Sequence, residues 1–435
     1  MIKIKPSIYN YYFQKGNDLI VLNGISRGCI EFKNTNYHNF LNKISGLEES
    51  FLNQIINKYL MIVPENINEF ETYFKKLKLF RLNDNTIDLT IAFTFKCNFD
   101  CLYCIQKENY NRRLTITEDK IKLIINWIKN SINNKIKYIT INYFGGEPTL
   151  NLKGIYSFTE KINCIIKDFK LKKYYQLVSN GFNLNKDSIN RLVSLGIKDY
   201  QITLDGIKDI HNLRRSPKFD SFSKIVNNII YLAESGATIF LLNVFDSSNL
   251  ESPIELINYF DELSKNHSSV KKNIKFNFCP TITKQVKTVK CNNYVEGHEL
   301  DLTNTSVLAL AYAKKKGFKF TNLLDIGLCS RQYKHFAMID PELNLFKCYS
   351  SFGNMKYSFG NILNNSYESF IENSNDFSLT NGITELCKKC SYLPLCRGGC
   401  QFQASERHNG EYGHMYCEKY IFKKQIELFM KNELV

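Results

Sequence analysis

Residues 97–104 read CNFDCLYC, three cysteines in the spacing C-x3-C-x2-C directly after the apolar run IDLTIAFTF. Thiolates are soft ligands. Three on one loop can wrap a corner of an iron–sulfur cluster, or supply three of the four positions around zinc. Either way one position is left over. No histidine is close in sequence to fill it, the seven being at 38, 211, 267, 298, 335, 408 and 414. Downstream comes GGEP (Gly145–Pro148), where two glycines admit a ligand close to the backbone, and Glu147 with nearby carbonyls offers acceptors to an ammonium group. A second set, CKKCSYLPLCRGGC at 387–400, has the spacing C-x2-C-x5-C-x3-C, with Cys417 beyond it and Cys329 and Cys348 upstream. Taken alone, that set is compatible with a zinc ribbon.

These residues need elements to hold them. From residue 85, strand-like runs at 87–95, 137–144, 173–179, 199–204, 238–245 and 274–279 alternate with helical stretches. The runs are short, mostly apolar and rich in Ile, Phe, Tyr and Thr, as strands buried on both faces are. Repeated βα units predict a parallel α/β sheet with right-handed crossovers, and six units predict a partial barrel. In such folds the chemistry sits at the carboxyl ends of the strands. The cysteine loop follows the first run and GGEP the second. SNG (Ser179–Gly181) follows the third, and Asp205–Gly206 with IHNLRR (Ile210–Arg215) follow the fourth. All the polar peculiarities therefore fall on one edge. Asp205 also reads as a strand terminator, SNG equally as a turn, and Arg214 and Arg215 as solvated charges.

CNFDCLYC, with Tyr103 before its third cysteine, followed by GGEPTL, resembles the radical S-adenosylmethionine (SAM) superfamily over about residues 85–285. The resemblance implies a partial (β/α)6 barrel in which Cys97, Cys101 and Cys104 hold three irons of a [4Fe–4S] cluster and SAM takes the fourth. Reduction would cleave SAM to methionine and a 5′-deoxyadenosyl radical that abstracts hydrogen from substrate. It further implies SAM contacts from Tyr103, Gly145, Gly146, Glu147, Pro148, Ser179, Asn180 and Arg215, the last pairing with the SAM carboxylate. The seven later cysteines resemble the SPASM domain, which carries auxiliary [4Fe–4S] clusters. By that pattern Cys387, Cys390, Cys396 and Cys417 close one cluster, while Cys329, Cys348 and Cys400 hold another with three thiolates. Two positions depart from the pattern. Leu343 stands where the family usually has glycine, so the turn there is expected to differ. Leu323 stands where relatives with two fully ligated clusters carry one more cysteine, which implies an open iron, or a ligand borrowed from Cys279 or Cys291. Cys29 and Cys164 read as buried core thiols.

The sequence divides into residues 1–82, a small winged-helix-like module resembling the leader-peptide-binding front end of peptide maturases, 83–320, the radical SAM core, and 321–435, the SPASM region. The resemblance implies a maturase that modifies a ribosomally made peptide, forming a Cys thioether beside an open iron. Formylglycine-generating sulfatase maturation and carbon–carbon cross-linking are the enzymatic alternatives. Sulfatase maturases commonly have Asp directly after the second SPASM cysteine, and here Tyr349 follows Cys348. A non-catalytic iron–sulfur or zinc scaffold is the alternative from another class. The implied partners are a precursor peptide with its leader and an electron donor such as ferredoxin or flavodoxin.

Bulk composition narrows the field further. With 44% hydrophobic residues in 435, the chain can bury a sizeable core. The net charge of +15 comes from scattered lysines, so neither nucleic acid nor membrane is expected as a partner. The first residues contain no apolar signal region and no run spans a bilayer, which predicts a cytoplasmic protein. In that reducing compartment fourteen cysteines point to metal binding rather than disulfides.

Overall fold

The computed structural model describes residues 3–81, 85–216, 219–281, 296–321, 329–374, 382–408, 411 and 413–432. Contacts gather the chain into two compact units, Leu82–Thr321 with Leu328–Phe377, and Met1–Arg81 with Asn322–Gly327 and Ser378–Val435. This grouping does not follow the three sequence segments. The stretch with Cys329 and Cys348 belongs with the barrel, and the CKKCSYLPLCRGGC stretch with the N-terminal module. Cys291 and Leu323 lie outside the described residues.

In the N-terminal unit, β1 (Ile4–Pro6) pairs antiparallel with β5 (Ile62–Pro64). A three-stranded meander forms from β2 (Asn10–Lys15), β3 (Asp18–Asn23) and β4 (Cys29–Phe32). Three helices, α1 (Phe40–Ser45), α2 (Glu49–Asn57) and α3 (Glu69–Arg81), complete the N-terminal module. Its core closes over Leu19, Val21, Phe40, Ile44 and Ile55. Tyrosines from the module tie down the second cysteine stretch. Tyr11 Oη donates to Ser391 O at 2.9 Å, and Tyr73 Oη to Leu393 O at 3.3 Å. Cys29, expected to be buried, is exposed on β4.

The larger unit is built on a nine-stranded sheet. Its six central strands are parallel and in chain order: β6 (Thr86–Thr94), β7 (Tyr138–Gly145), β8 (Lys172–Ser179), β9 (Asp199–Thr203), β10 (Thr238–Phe245) and β11 (Ile274–Pro280). They match the six expected runs to within a residue or two. β12 (Lys319–Phe320) adds parallel beyond β11, and β13 (Phe336–Ile339), hairpinned to β14 (Leu345–Phe346), adds parallel beside β6.

The helices follow the same logic. α4 (Glu118–Ser131) starts at Thr117, whose side chain accepts from Lys120 N, and it buries Ile121, Ile124, Trp127 and Ile128. α5 (Leu152–Asp168) starts at Asn151 and buries Ile155, Phe158, Ile162 and Ile166 at helical spacing. Cys164 falls off that stripe and is exposed, so its expected core role fails. α6 (Lys186–Ser194) carries a capping box from Asn185 and Ser188. α7 (Lys208–Arg215), α8 (Phe222–Glu234) and α9 (Ser252–Asn266) complete the crossovers that bear on the site.

The β13–β14 turn was expected to differ because Leu343 replaces glycine. Leu343 instead takes the left-handed conformation, φ 71°, that glycine adopts without strain. Asp340 holds the turn by accepting from Glu342 N at 2.8 Å and Asn344 N at 2.9 Å, and the Leu343 side chain is buried. Burial and the Asp340 bonds offset the backbone strain.

Asp88, early in β6, has an Oδ1 with no hydrogen-bond partner, and burial pushes its carboxyl up to about 6 against the pull of Lys347. The folded state therefore holds this proton more tightly than the unfolded state. Stability from this group falls as pH rises from about 4 to about 6, and stays lower above. Asp88→Asn is expected to raise the melting temperature at pH ~7.5 and to leave it unchanged at pH ~4. The fluorescence of Trp127, the chain's one tryptophan, reports the melting of this unit. Equal gains at both pH values would refute the assignment.

Candidate active site

Because the six central strands are parallel, their carboxyl ends share one edge, and the predicted residues collect there. A register shift between Ala92 and Thr94 ends β6 and releases the chain into the cysteine loop. β7 ends against it without side chains. A Cβ on Gly145 would stand 2.2 Å from Thr94 O, and one on Gly146 would stand 2.5 Å from Lys96 O. Gly146 N donates to Thr94 O at 2.9 Å and Glu147 N to Lys96 O at 2.8 Å. GGEP thus locks to the start of the cysteine loop by backbone contact that only glycine allows.

Glu147 is fully buried and takes four hydrogen bonds. Its Oε1 accepts from Thr149 N at 3.0 Å, Thr149 Oγ1 at 2.6 Å and Ser179 Oγ at 2.8 Å, and its Oε2 from Asn180 N at 2.7 Å. Burial raises its carboxyl, and these donors oppose the shift. With this many partners inside the chain, Glu147 joins the ends of β7 and β8. Pro148 opens the short turn that Glu147 caps. Ser179 and Asn180 are spent on Glu147 and on the turn itself, where Gly181 has φ 79°. Asn180 Nδ2 also donates to Asn98 Oδ1 at 2.8 Å, tying SNG to the cysteine loop.

The other side of the loop is held by a buried ionic network. Tyr103 Oη donates to Asp205 Oδ1 at 2.6 Å, and Arg214 Nε to Asp205 Oδ2 at 3.2 Å. Both Arg214 terminal nitrogens reach Asp246 Oδ2 at 3.1 Å. Arg214 and Arg215 are buried, against the solvated alternative, and Asp205, read as a strand terminator, is the hub that joins them to Tyr103. Asp246 and Asn98 escaped the sequence reading. A visible signal was available: acids at the carboxyl ends of two successive strands, with two adjacent arginines between them. Phe99, Phe182 and Phe219 form an aromatic cluster beside the loop, with ring centroids 5.0–5.8 Å apart.

Cys97, Cys101 and Cys104 lie close enough for their charges to oppose one another, and burial pushes the Cys97 thiol up to about 12. A thiol held there becomes a ligand only when a cation neutralises it. Among the described residues no three His, Cys, Asp or Glu side chains converge tightly enough to hold a single metal ion. Several buried nitrogens at this edge have no hydrogen-bond partner: Asn98 Nδ2, His211 Nε2, and Arg215 Nε and Nη1. Three soft ligands, a backbone cradle and unspent donors fit a cluster with a polar, partly anionic co-ligand. Cys279 ends β11 on the same edge and is exposed. In the other unit Cys396 is pushed up to about 11 by burial, with Cys417 a charge neighbour, and Cys387 Sγ stands 3.5 Å from Met415 Sδ.

Residues 91–260 match the model of the radical SAM superfamily. This stretch is a radical SAM domain. A cysteine-type anaerobic sulfatase-maturating enzyme of Clostridium novyi (strain NT) is 26% identical over 377 residues, which cover 76% of this chain and 92% of that one. Among solved structures, native anSMEcpe with bound AdoMet and the Cp18Cys peptide superposes with TM-score 0.64 at 20% identity, covering 80% of this chain and 98% of that one. Streptococcus suis SuiB bound to its precursor peptide SuiA superposes with TM-score 0.54 at 15% identity, covering 96% of this chain and 99% of that one. At these identities the structures show the shared fold. Among the described residues no helix is long and apolar enough to cross a membrane.

Proposed function

We propose that this chain is a radical SAM maturase that modifies a ribosomally made peptide and forms a Cys thioether in it. The observation that carries the reading is the convergence of Cys97, Cys101 and Cys104 with GGEP, SNG and the Arg–Asp network on one edge of a six-stranded parallel sheet. Similarity over most of the chain's length to a sulfatase-maturating enzyme, and the likeness in fold to SuiB with its precursor peptide, support a peptide substrate.

A [4Fe–4S] cluster held there with SAM would supply hydrogen abstraction from carbon. The chain's own residues prepare the site. Cys97, Cys101 and Cys104 are the cluster ligands. The backbone at Gly145–Glu147 sets the distance between β7 and the loop, Glu147 fixes the Ser179–Gly181 turn, and Phe182 and Phe219 pack against Phe99. Asn98 Nδ2 is a donor left for an anionic group. An auxiliary cluster at Cys387, Cys390, Cys396 and Cys417 is part of the proposal, as is a one-electron donor of the ferredoxin or flavodoxin type. The winged-helix-like module, with β4 at a sheet edge, suits strand addition by a leader peptide, and the cytoplasm is the proposed location.

Thioether formation is favoured over formylglycine formation by one residue. Tyr349, which follows Cys348, is a phenol bonded to Thr90 Oγ1 at 2.8 Å and packed near Phe144 and Phe336. It offers no carboxylate base for oxidising a cysteine side chain.

Co-expression with a Cys-containing precursor peptide encoded beside the gene tests the reading. The expected product has lost two hydrogens and one alkylatable thiol. A product with an aldehyde that traps hydrazide would place the chain with the sulfatase maturases.

A further inference from the structure

Arg215 is 7% exposed, and its Nε and Nη1 lack hydrogen-bond partners. Its counter-ion is Asp205, with Nη1 3.6 Å from Oδ1, an ionic distance too long for a good hydrogen bond. Asp205 already receives Tyr103 and Arg214. A buried guanidinium with spare donors is costly unless something else takes them. The Arg215 guanidinium donates to the Cys101 thiol. The backbone closes the same contact. Asp100 N donates to Arg215 O at 3.2 Å, and Leu102 N to Arg214 O at 3.1 Å. The residues on both sides of Cys101 thereby cap carbonyls at the C-terminal end of α7 that a helix leaves unpaired. The cysteine and the arginine are held against each other by main chain as well as by side chain.

We propose that Arg215 sets the reduction potential of the cluster held by Cys97, Cys101 and Cys104 by presenting its unspent N–H groups and charge to the Cys101 sulfur, with Asp205 as the counter-charge that limits the effect. The inference rests on the cluster assignment under the proposed function. Reduction adds one electron to the cluster and moves no proton, so a fixed cation and N–H···S bonds favour the reduced form. Removing the cation lowers the potential. Removing its counter-charge raises it. A purely structural role for the pair predicts no such opposition of sign.

The test is a redox titration of the full-length reconstituted chain without SAM, using dithionite and mediators and read by electron paramagnetic resonance. The signal of this cluster is the one missing from a Cys97→Ala/Cys101→Ala/Cys104→Ala variant. Arg215→Gln is expected to lower the reduced-to-oxidised ratio at fixed potential about tenfold, about 59 mV for one electron. Arg215→Lys recovers part of the shift, because it keeps the charge and loses the fork. Asp205→Asn moves the potential upward. Lys107→Gln, which removes an exposed charge beside the same loop, moves it little. An unshifted or raised potential in Arg215→Gln overturns the inference, and so does a downward shift in Asp205→Asn. If Asp205→Asn fails to load a cluster, the two Arg215 variants decide. A wild-type chain that takes up no cluster overturns the proposed function and this inference together, whereas a loaded chain with an unshifted Arg215→Gln overturns this inference alone.

Discussion

Replacing Cys97, Cys101 and Cys104 together by Ala is expected to lower the iron content of anaerobically reconstituted protein from about twelve per chain to about eight. The three thiols share one loop, Cys101 and Cys104 add to the rise of the Cys97 thiol, and burial holds Cys97 protonated until a cation arrives. With the thiols gone, the loop that follows β6 carries no soft ligand. The remaining irons would sit on the later cysteines. Four irons with zinc in the wild-type chain would instead assign the later cysteines to a structural zinc site, and the auxiliary clusters would fall.

The second large effect is structural. Glu147→Ala strips the acceptor from four buried donors at once: Thr149 N, Thr149 Oγ1, Ser179 Oγ and Asn180 N. Each unsatisfied buried group costs about 1–3 kcal/mol, so a loss of about 3 kcal/mol or more is expected, reduced where water enters the cavity. Glu147→Gln keeps the volume but turns an NH2 toward donors, and should fall between wild type and Ala. Denaturant unfolding of the apo-protein followed by Trp127 fluorescence reads the barrel unit directly. A loss under about 1 kcal/mol for Glu147→Ala would show that the joint between β7 and β8 does not depend on this carboxylate.

Much of this was legible in the sequence because it rests on local chemistry. Six short apolar runs became six parallel strands because strands covered on both faces leave a continuous apolar signal. CNFDCLYC, GGEP and SNG stood out because cysteine, glycine and turn residues carry their function in their type. Asp205, Arg214 and Asp246 were harder to see. Each is an ordinary charged residue whose role arises only when β9, β10 and α7 bring acids and arginines together away from water. Cys164 misled for a related reason: it lies among apolar neighbours in sequence, but on the exposed side of a helix whose buried stripe runs through Ile155, Phe158 and Ile162. Leu343 shows the converse case, in which buried packing and an aspartate hold a conformation that residue type alone argues against.

The central claim is that this edge performs reductive cleavage of SAM, and 5′-deoxyadenosine formation by the reduced, reconstituted chain tests it most directly. The account predicts 5′-deoxyadenosine in the wild-type protein and none in the Cys97→Ala/Cys101→Ala/Cys104→Ala variant. A wild-type chain that holds its clusters, is reduced, binds SAM and still forms no 5′-deoxyadenosine would contradict it.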